Sequence, residues 1–189
     1  MAGDAVQFYR LSGGAHADGA LAGLRVRQPR HHVRFWHPSL AAPFPPGRFD
    51  PKLASYTAML ALGMFDAPGY GAVLIEREDG TIDHRAMLMP RFARFPFMAP
   101  DDLQIGATFT TPEARGQGLA LRAILEVVDA FARPGRSFWY LTDDTNLASV
   151  AVIRKAGFEL AGTGGKRARY GLRFLGFYDM APPDRGTGS

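Results

Sequence analysis

The chain has 189 residues, 47% hydrophobic and 21% charged, which is enough for one globular domain with a substantial core. It has no cysteine, which excludes a disulfide framework, a thiolate zinc site and a Cys nucleophile. The net charge of +4 comes from scattered Lys and Arg with no accompanying reading element, which excludes a nucleic-acid module and leaves a solvated basic surface or attraction of an anionic ligand.

Val6–Leu11 reads as a first strand, and the Gly/Ala stretch 13–23 as turn or loose helix. His31, His32 and His37 have no second ligand cluster at a metal spacing, so no metal is expected. Phe35 and Trp36 fit either core or a substrate wall. Pro38–Pro51 is loop, because repeated proline removes donors and blocks helix. Asp50 is a plausible N-cap, with Pro51 at the first helical position, for a helix reaching Met64. Leu53, Tyr56, Leu60 and Met64 recur there at helical spacing. Gly71–Arg77 and Ile82–Met89 read as a hairpin turning at Asp79 and Gly80. An aromatic and basic link, Pro90–Pro100, leads into the next strand.

In the central strand, 102–110, a period of two puts Leu103, Ile105, Ala107 and Phe109 on an apolar face. Asp102, Gln104, Gly106, Thr108 and Thr110 take the polar, cleft-facing side. A glycine loop follows. Gly116 and Gly118 allow a turn that aims several N–H groups at one anion, Arg115 adds a forked cation, and the helix behind adds the positive end of its dipole. Such a loop suits a diphosphate. It is not a Walker loop, since Leu119 stands where Lys is required, and it fits a dinucleotide fingerprint poorly. Leu121, Ile124, Leu125, Val128 and Phe131 share one helix face, ended by Arg133, Pro134 and Gly135. Ser137–Thr142 is a short buried aromatic strand. Asp143, Asp144 and Thr145 offer caps for a further helix that Gly157 terminates. Phe158–Gly162 and Tyr170–Tyr178 pair as a last hairpin across a Gly-rich basic loop, and Ala181–Ser189 is a disordered tail. No apolar run approaches the ~20 residues of a membrane helix, and the N-terminus lacks a secretory pattern, so a soluble cytoplasmic protein is expected.

Two motifs stand one strand apart: Arg115, Gly118 and Ala120, then Asn146, Ser149, Lys155, Gly157 and Phe158. Across residues 70–178 they resemble the GNAT superfamily of acyl-CoA-dependent N-acetyltransferases. The resemblance implies an α/β (α+β) fold over a single domain, residues 1–180. Its central sheet is mixed, mostly antiparallel and twisted, flanked by helices and splayed between two strands. It implies acetyl-CoA as acyl donor, with the pyrophosphate on Arg115, Gly116, Gln117, Gly118, Leu119 and Ala120. The pantetheine arm would pair with Thr108, Phe109 and Thr110, and Asn146 would bridge the arm or a bound water.

The chain departs from the family's pattern at two positions. Ile153 replaces a proton-donating Tyr, leaving Ser149 as the nearest hydroxyl for the departing sulfur; Gln104 replaces a Glu base, leaving Asp102 or an ordered water. The partners expected are acetyl-CoA and a small primary amine, an amino sugar or sugar nucleotide being the narrower reading, with a homodimer allowed. Other readings are a different acyl donor, a peptide amine, or a CoA-binding regulatory module without catalysis.

Overall fold

The computed structural model describes residues 5–12, 18–46, 51–65, 68–169 and 172–183. Its strands are β1 (Val6–Ser12), β2 (His31–Trp36), β3 (Gly71–Arg77), β4 (Ile82–Pro90), β5 (Leu103–Thr110), β6 (Ser137–Asp143), β7 (Glu159–Arg169) and β8 (Leu172–Ala181). The helices are α1 (Asp18–Arg27), α2 (Pro51–Ala61), α3 (Leu119–Phe131) and α4 (Leu147–Lys155). The strands form one eight-stranded sheet in the order β2-β3-β4-β5-β6-β1-β7-β8. Neighbours run antiparallel except β5 and β6, which are parallel because α3 carries the chain back between them. This is the mixed, mostly antiparallel sheet with flanking helices that the resemblance implies.

Alternation along the strands sorts the core onto two faces. Val73, Ile75, Ala86, Leu88, Leu103 and Ile105 meet the apolar stripe of α3, where Ala123, Ile124, Val127 and Val128 are buried. Removing one such side chain, as in Ile124→Ala, costs about 2–5 kcal/mol. On the opposite face Ala72, Leu74, Met87 and Met89 lie with Leu53 of α2. Farther along that face, Phe8, Phe92, Phe95 and Trp139 form an aromatic cluster under the link that precedes β5.

Several expectations change. Of the two readings of the Gly/Ala stretch the helical one holds from Asp18, where α1 begins, and the histidine-bearing segment, left without an assigned element, is the edge strand β2. The segment read as a Gly-rich basic loop is strand, since β7 continues to Arg169. Glycine is needed there: a Cβ at Gly164 would strike the Asp179 carbonyl of β8. The Asp50 cap and the tail beyond 183 lie outside the described residues.

Candidate active site

Parallel pairing of β5 with β6 is confined to Leu103–Phe138, Gln104–Trp139 and Ile105–Tyr140. Beyond that point the two strands part. At the same level β5 carries a bulge, with Ala107 and Thr108 standing opposite the single residue Ala86 of β4. Ala107 takes φ 46°, a left-handed conformation that costs a non-glycine residue about 1 kcal/mol or more and is concentrated at functional sites. The bulge overturns the period-two expectation for the rest of the strand. Thr108 and Thr110 turn to the α3 face, while Phe109 leaves the core and is 50% exposed.

The gap is bridged by side chains. The hydroxyls of Thr108 and Tyr140 are 3.0 Å apart. Burial raises the Tyr140 phenol above its ordinary pKa, and hydrogen bonding to Thr108 and Ser149 offsets part of the rise. Tyr140 therefore keeps its proton at neutral pH.

Thr110 leads through a single turn of 3₁₀ helix, Pro112–Ala114, into the glycine loop. Gly116 and Gly118 take φ 76° and 80°, conformations that L side chains rarely adopt. Gln28 donates to the Gln117 carbonyl at 2.6 Å, tying the loop to the end of α1. Buried Arg122 extends the clamp, donating to the main-chain oxygens of Gln28 and His31, both at 3.1 Å. The first bond of α3 runs from the Arg122 N–H to the Gly118 carbonyl at 3.0 Å. The N–H groups of Leu119, Ala120 and Leu121 thus have no intrahelical acceptor, and no side chain caps the helix.

A cleft of about 620 Å³ opens beside this loop, within the ordinary size range of ligand sites. The loop residues Arg115, Gly116, Gly118, Leu119 and Ala120 line it, as do Thr108, Phe109, Thr110, Asn146 and Ser149. Of the loop residues predicted from sequence, Gln117 alone does not line it: its carbonyl accepts from Gln28, and its side-chain amide donates to the Glu113 carbonyl at 3.2 Å. Asn146, and not Asp143, Asp144 or Thr145, caps α4: its Oδ1 accepts from the Ser149 N–H at 3.1 Å, which leaves its amide donors free of that role. Gly157, at φ 87°, ends the helix as expected.

Asp102 lies elsewhere. Its carboxylate accepts from the N–H groups of Ala99 (2.9 Å) and Ser137 (2.8 Å) and from Trp139 Nε1 (2.8 Å), and the residue is 2% exposed. It sits at the start of β5, five positions before Ala107 and so roughly 16 Å away along an extended strand. Three donors and burial give it a structural task, and the geometry does not bring it to Ser149. Gln104 is likewise buried, at 6% exposure.

Sequence reasoning passed over three residues. Tyr140 was read only as part of a buried strand, although its parity with Phe138 places it beside Ile105 at the mouth of the gap. His84 of β4 bonds the Thr110 hydroxyl through Nδ1 at 2.7 Å and lines the cleft, and burial lowers its pKa to about 4, so it is neutral. Asp143 lines a second pocket, of about 510 Å³, on the other side of the gap. Thr108, Tyr140, Asn146 and Ser149 border both spaces.

Among the described residues the other histidines are engaged in side-chain or main-chain contacts: His31 Nε2 with Asp83 at 3.0 Å, His32 with Glu76 at 3.5 Å, and His37 Nδ1 with the Tyr70 carbonyl at 3.5 Å. Among the described residues no group of three or more His, Cys, Asp or Glu is arranged to hold a metal, and no helix is long and apolar enough to cross a membrane.

This architecture has known counterparts. The fold is similar to a GCN5-related N-acetyltransferase from Sphaerobacter thermophilus, with 16% identity, a TM-score of 0.55, and coverage of 85% of this chain and 50% of that one. A GCN5-related N-acetyltransferase-like protein from Streptococcus suis gives 14% identity, a TM-score of 0.52, and coverage of 86% and 61%. A glucosamine N-acetyltransferase region of a fungal multi-domain GH3 β-N-acetylglucosaminidase gives 11% identity, a TM-score of 0.56, and coverage of 84% and 20%. The chain thus spans less than two thirds of each of these proteins. Comparison with curated proteins finds no match. The model of the acetyltransferase (GNAT) domain matches residues 15–159, and on that match, which takes in the bulged strand, the glycine loop and the capped helix, the chain belongs to the GNAT acetyltransferase family.

Proposed function

We propose that this chain transfers the acetyl group of acetyl-CoA to a primary amine of a small molecule by direct attack on the thioester. The observation that carries this reading is the meeting of the two spaces at Thr108, Tyr140 and Ser149. A donor in the α3-side cleft and an acceptor in the opposite pocket would touch only there. The family generally uses acetyl-CoA, and the cleft fits it. Arg115, the free N–H groups at the start of α3 and the helix dipole suit a pyrophosphate at Gly116–Ala120. The part of β5 that has lost its β6 partner, Thr108–Thr110, offers main-chain groups to a pantetheine amide.

In this reading main-chain N–H groups at the Ala107 bulge stabilise the oxyanion, where one well-aimed donor is typically worth about 10²–10³ in rate. Held against the thioester, the amine needs no covalent enzyme intermediate. The Tyr140 hydroxyl, with Ser149 beside it, protonates the departing thiolate. Tyr140 thus fills the role left open by Ile153, which favours catalysis over a silent CoA-binding module.

The finer reading of the acceptor is an amino sugar or sugar nucleotide. It is supported by the polar lining of the second pocket and by the fold shared with the fungal glucosamine N-acetyltransferase region. The test is calorimetric titration with acetyl-CoA, followed by thiol release on adding primary amines. Binding with amine-dependent thiol release is expected. Binding without release for any amine would favour the regulatory module, and absence of binding would overturn the reading altogether.

A further inference from the structure

The two spaces that meet at the gap carry opposite charge. Arg115 and Lys155 line the α3-side cleft, together with neutral His84 and, among the described residues, no carboxylate. Among the described residues that line the pocket on the other face, Asp143 is the only charged one, in a chain whose net charge is +4. Asp143 ends β6 with the same parity as Trp139 and Leu141, which pack in the aromatic cluster of that face, so its side chain stands on the acceptor side. Its position is fixed by the main chain, because its carbonyl accepts the Asn146 N–H at 3.1 Å. Its carboxylate has no ion-pair partner among the described residues, and it lies near enough to Tyr178 to add to the rise that burial causes in that phenol.

The remaining lining is rich in hydroxyl and amide groups: Thr108, Tyr140, Thr142, Asn146, Ser149 and Tyr178. The aromatic rings nearby are committed to one another, with Phe97 on Trp139 at 4.9 Å and Phe95 stacked on Tyr178 at 5.8 Å. A polar pocket with one unpaired anion suits a cation on a hydrogen-bonding carrier. It offers an arylamine little.

We propose that Asp143 anchors the acceptor as an aliphatic ammonium borne on a hydroxyl-bearing carrier, and so selects cationic polar amines over arylamines. This rests on the functional reading above. In the reaction the ammonium R–NH₃⁺, held in the pocket by Asp143, gives one proton to solvent water. The neutral amine then forms a bond to the thioester carbonyl carbon, and the C–S bond breaks. The nitrogen loses its second proton, and the thiolate takes one from Tyr140, which is reprotonated. The balance is R–NH₃⁺ plus acetyl thioester giving the acetamide, a free thiol and one proton released to solvent.

The experiment measures thiol release from acetyl-CoA with glucosamine, ethanolamine and aniline at low and high salt, for the wild type, Asp143→Asn and Asp143→Glu. Asp143 is exposed, so the variants are expected to melt as the wild type does. The expected result is turnover with the aliphatic amines and a KM that rises with salt. Asp143→Asn should raise KM for glucosamine at least about tenfold, with kcat changed less than about threefold and the salt effect lost. Asp143→Glu should recover part of the loss, and the acetyl-CoA Kd should be the same in all three proteins. An unchanged KM in Asp143→Asn, or aniline accepted as well as glucosamine, would overturn the proposal, whereas no amine-dependent release from protein that binds acetyl-CoA would overturn the functional reading. A wild type that fails to bind acetyl-CoA would overturn the functional reading as well.

Discussion

The Thr108 and Tyr140 hydroxyls meet 3.0 Å apart where β5 and β6 separate, and that contact exists only because the bulge at Ala107 turns Thr108 to the α3 face. A strand without the bulge would send Thr108 to the opposite side and leave the Tyr140 hydroxyl without this partner. The bulge therefore both opens the main chain of β5 and orients the proton donor.

Tyr140→Phe removes the hydroxyl and little volume. The expected outcome is a fall in kcat of about tenfold to a hundredfold, at the lower end of general-acid effects because a thiolate leaves readily. Acetyl-CoA affinity should be nearly unchanged. Ser149→Ala should cost about tenfold or less, equivalent to ~1.4 kcal/mol. Because the two hydroxyls interact, the double variant should cost less than the product of the two single effects. Steady-state kinetics on the three proteins check this, and fully multiplicative losses would separate the two residues.

For Asp102 the expected effect is on stability. Asp102→Asn turns an amide toward main-chain and indole donors that now point at a carboxylate, and the loss of charge-assisted hydrogen bonds costs about 3 kcal/mol. In a chain of this size that is a fall in Tm of roughly 10 °C. Activity per folded molecule and its pH profile should match the wild type. A flattened acid limb at unchanged Tm would return Asp102 to the chemistry.

The contrast between Asp102 and the glycine loop shows what the sequence made legible. Gly116 and Gly118 are readable because their demand is local: two glycines one residue apart that need positive φ before an amphipathic helix. The strands around them follow from alternation for the same reason. Asp102 misled because period two was carried through a strand whose phase changes at Ala107, and nothing local marks an alanine that adopts φ 46°. Tyr140 and Asp143 were missed because their roles come from β6 lying beside β5 and β1, contacts more than 30 residues apart in sequence.

Gly118→Val tests the loop directly. A Cβ at this position meets only ordinary contacts, Gln28 Nε2 at 3.5 Å and Leu24 Cδ2 at 3.6 Å, so sterics with neighbours do not forbid it. The backbone does resist: φ 80° costs a β-branched residue about 1–2 kcal/mol, which is relieved by turning the N–H groups off their common target. The expected outcome is a folded protein whose acetyl-CoA Kd rises about tenfold or more by calorimetry. An unchanged Kd in a folded variant would remove the loop from donor binding.

His84 predicts how stability responds to acid. Burial lowers its pKa from 6.5 to about 4, so the unfolded chain binds a proton that the folded chain refuses. The stability this histidine retains as a neutral group is full above pH 6.5 and is lost as the pH falls toward 4. Between pH 7 and pH 5 the loss amounts to about 2 kcal/mol. The paired carboxylates act lower down. Glu76 is held below its ordinary value of 4.5 by the Arg34 guanidinium. Burial would raise Asp83 and Glu126, yet His31 and Arg77 on the one and Arg25 and Arg122 on the other keep both depressed, from 3.8 and 4.5. Their contributions persist above those ordinary values and fade only below them. The interval from pH 6.5 to about 5 is thus largely His84's own among the resolved shifts. His84→Gln, which has no titration there, should be less stable than the wild type at pH 7 through lost packing, yet lose about 2 kcal/mol less on going to pH 5. Urea unfolding at the two pH values checks it, and equal losses in the two proteins would show that His84 is protonated in the fold.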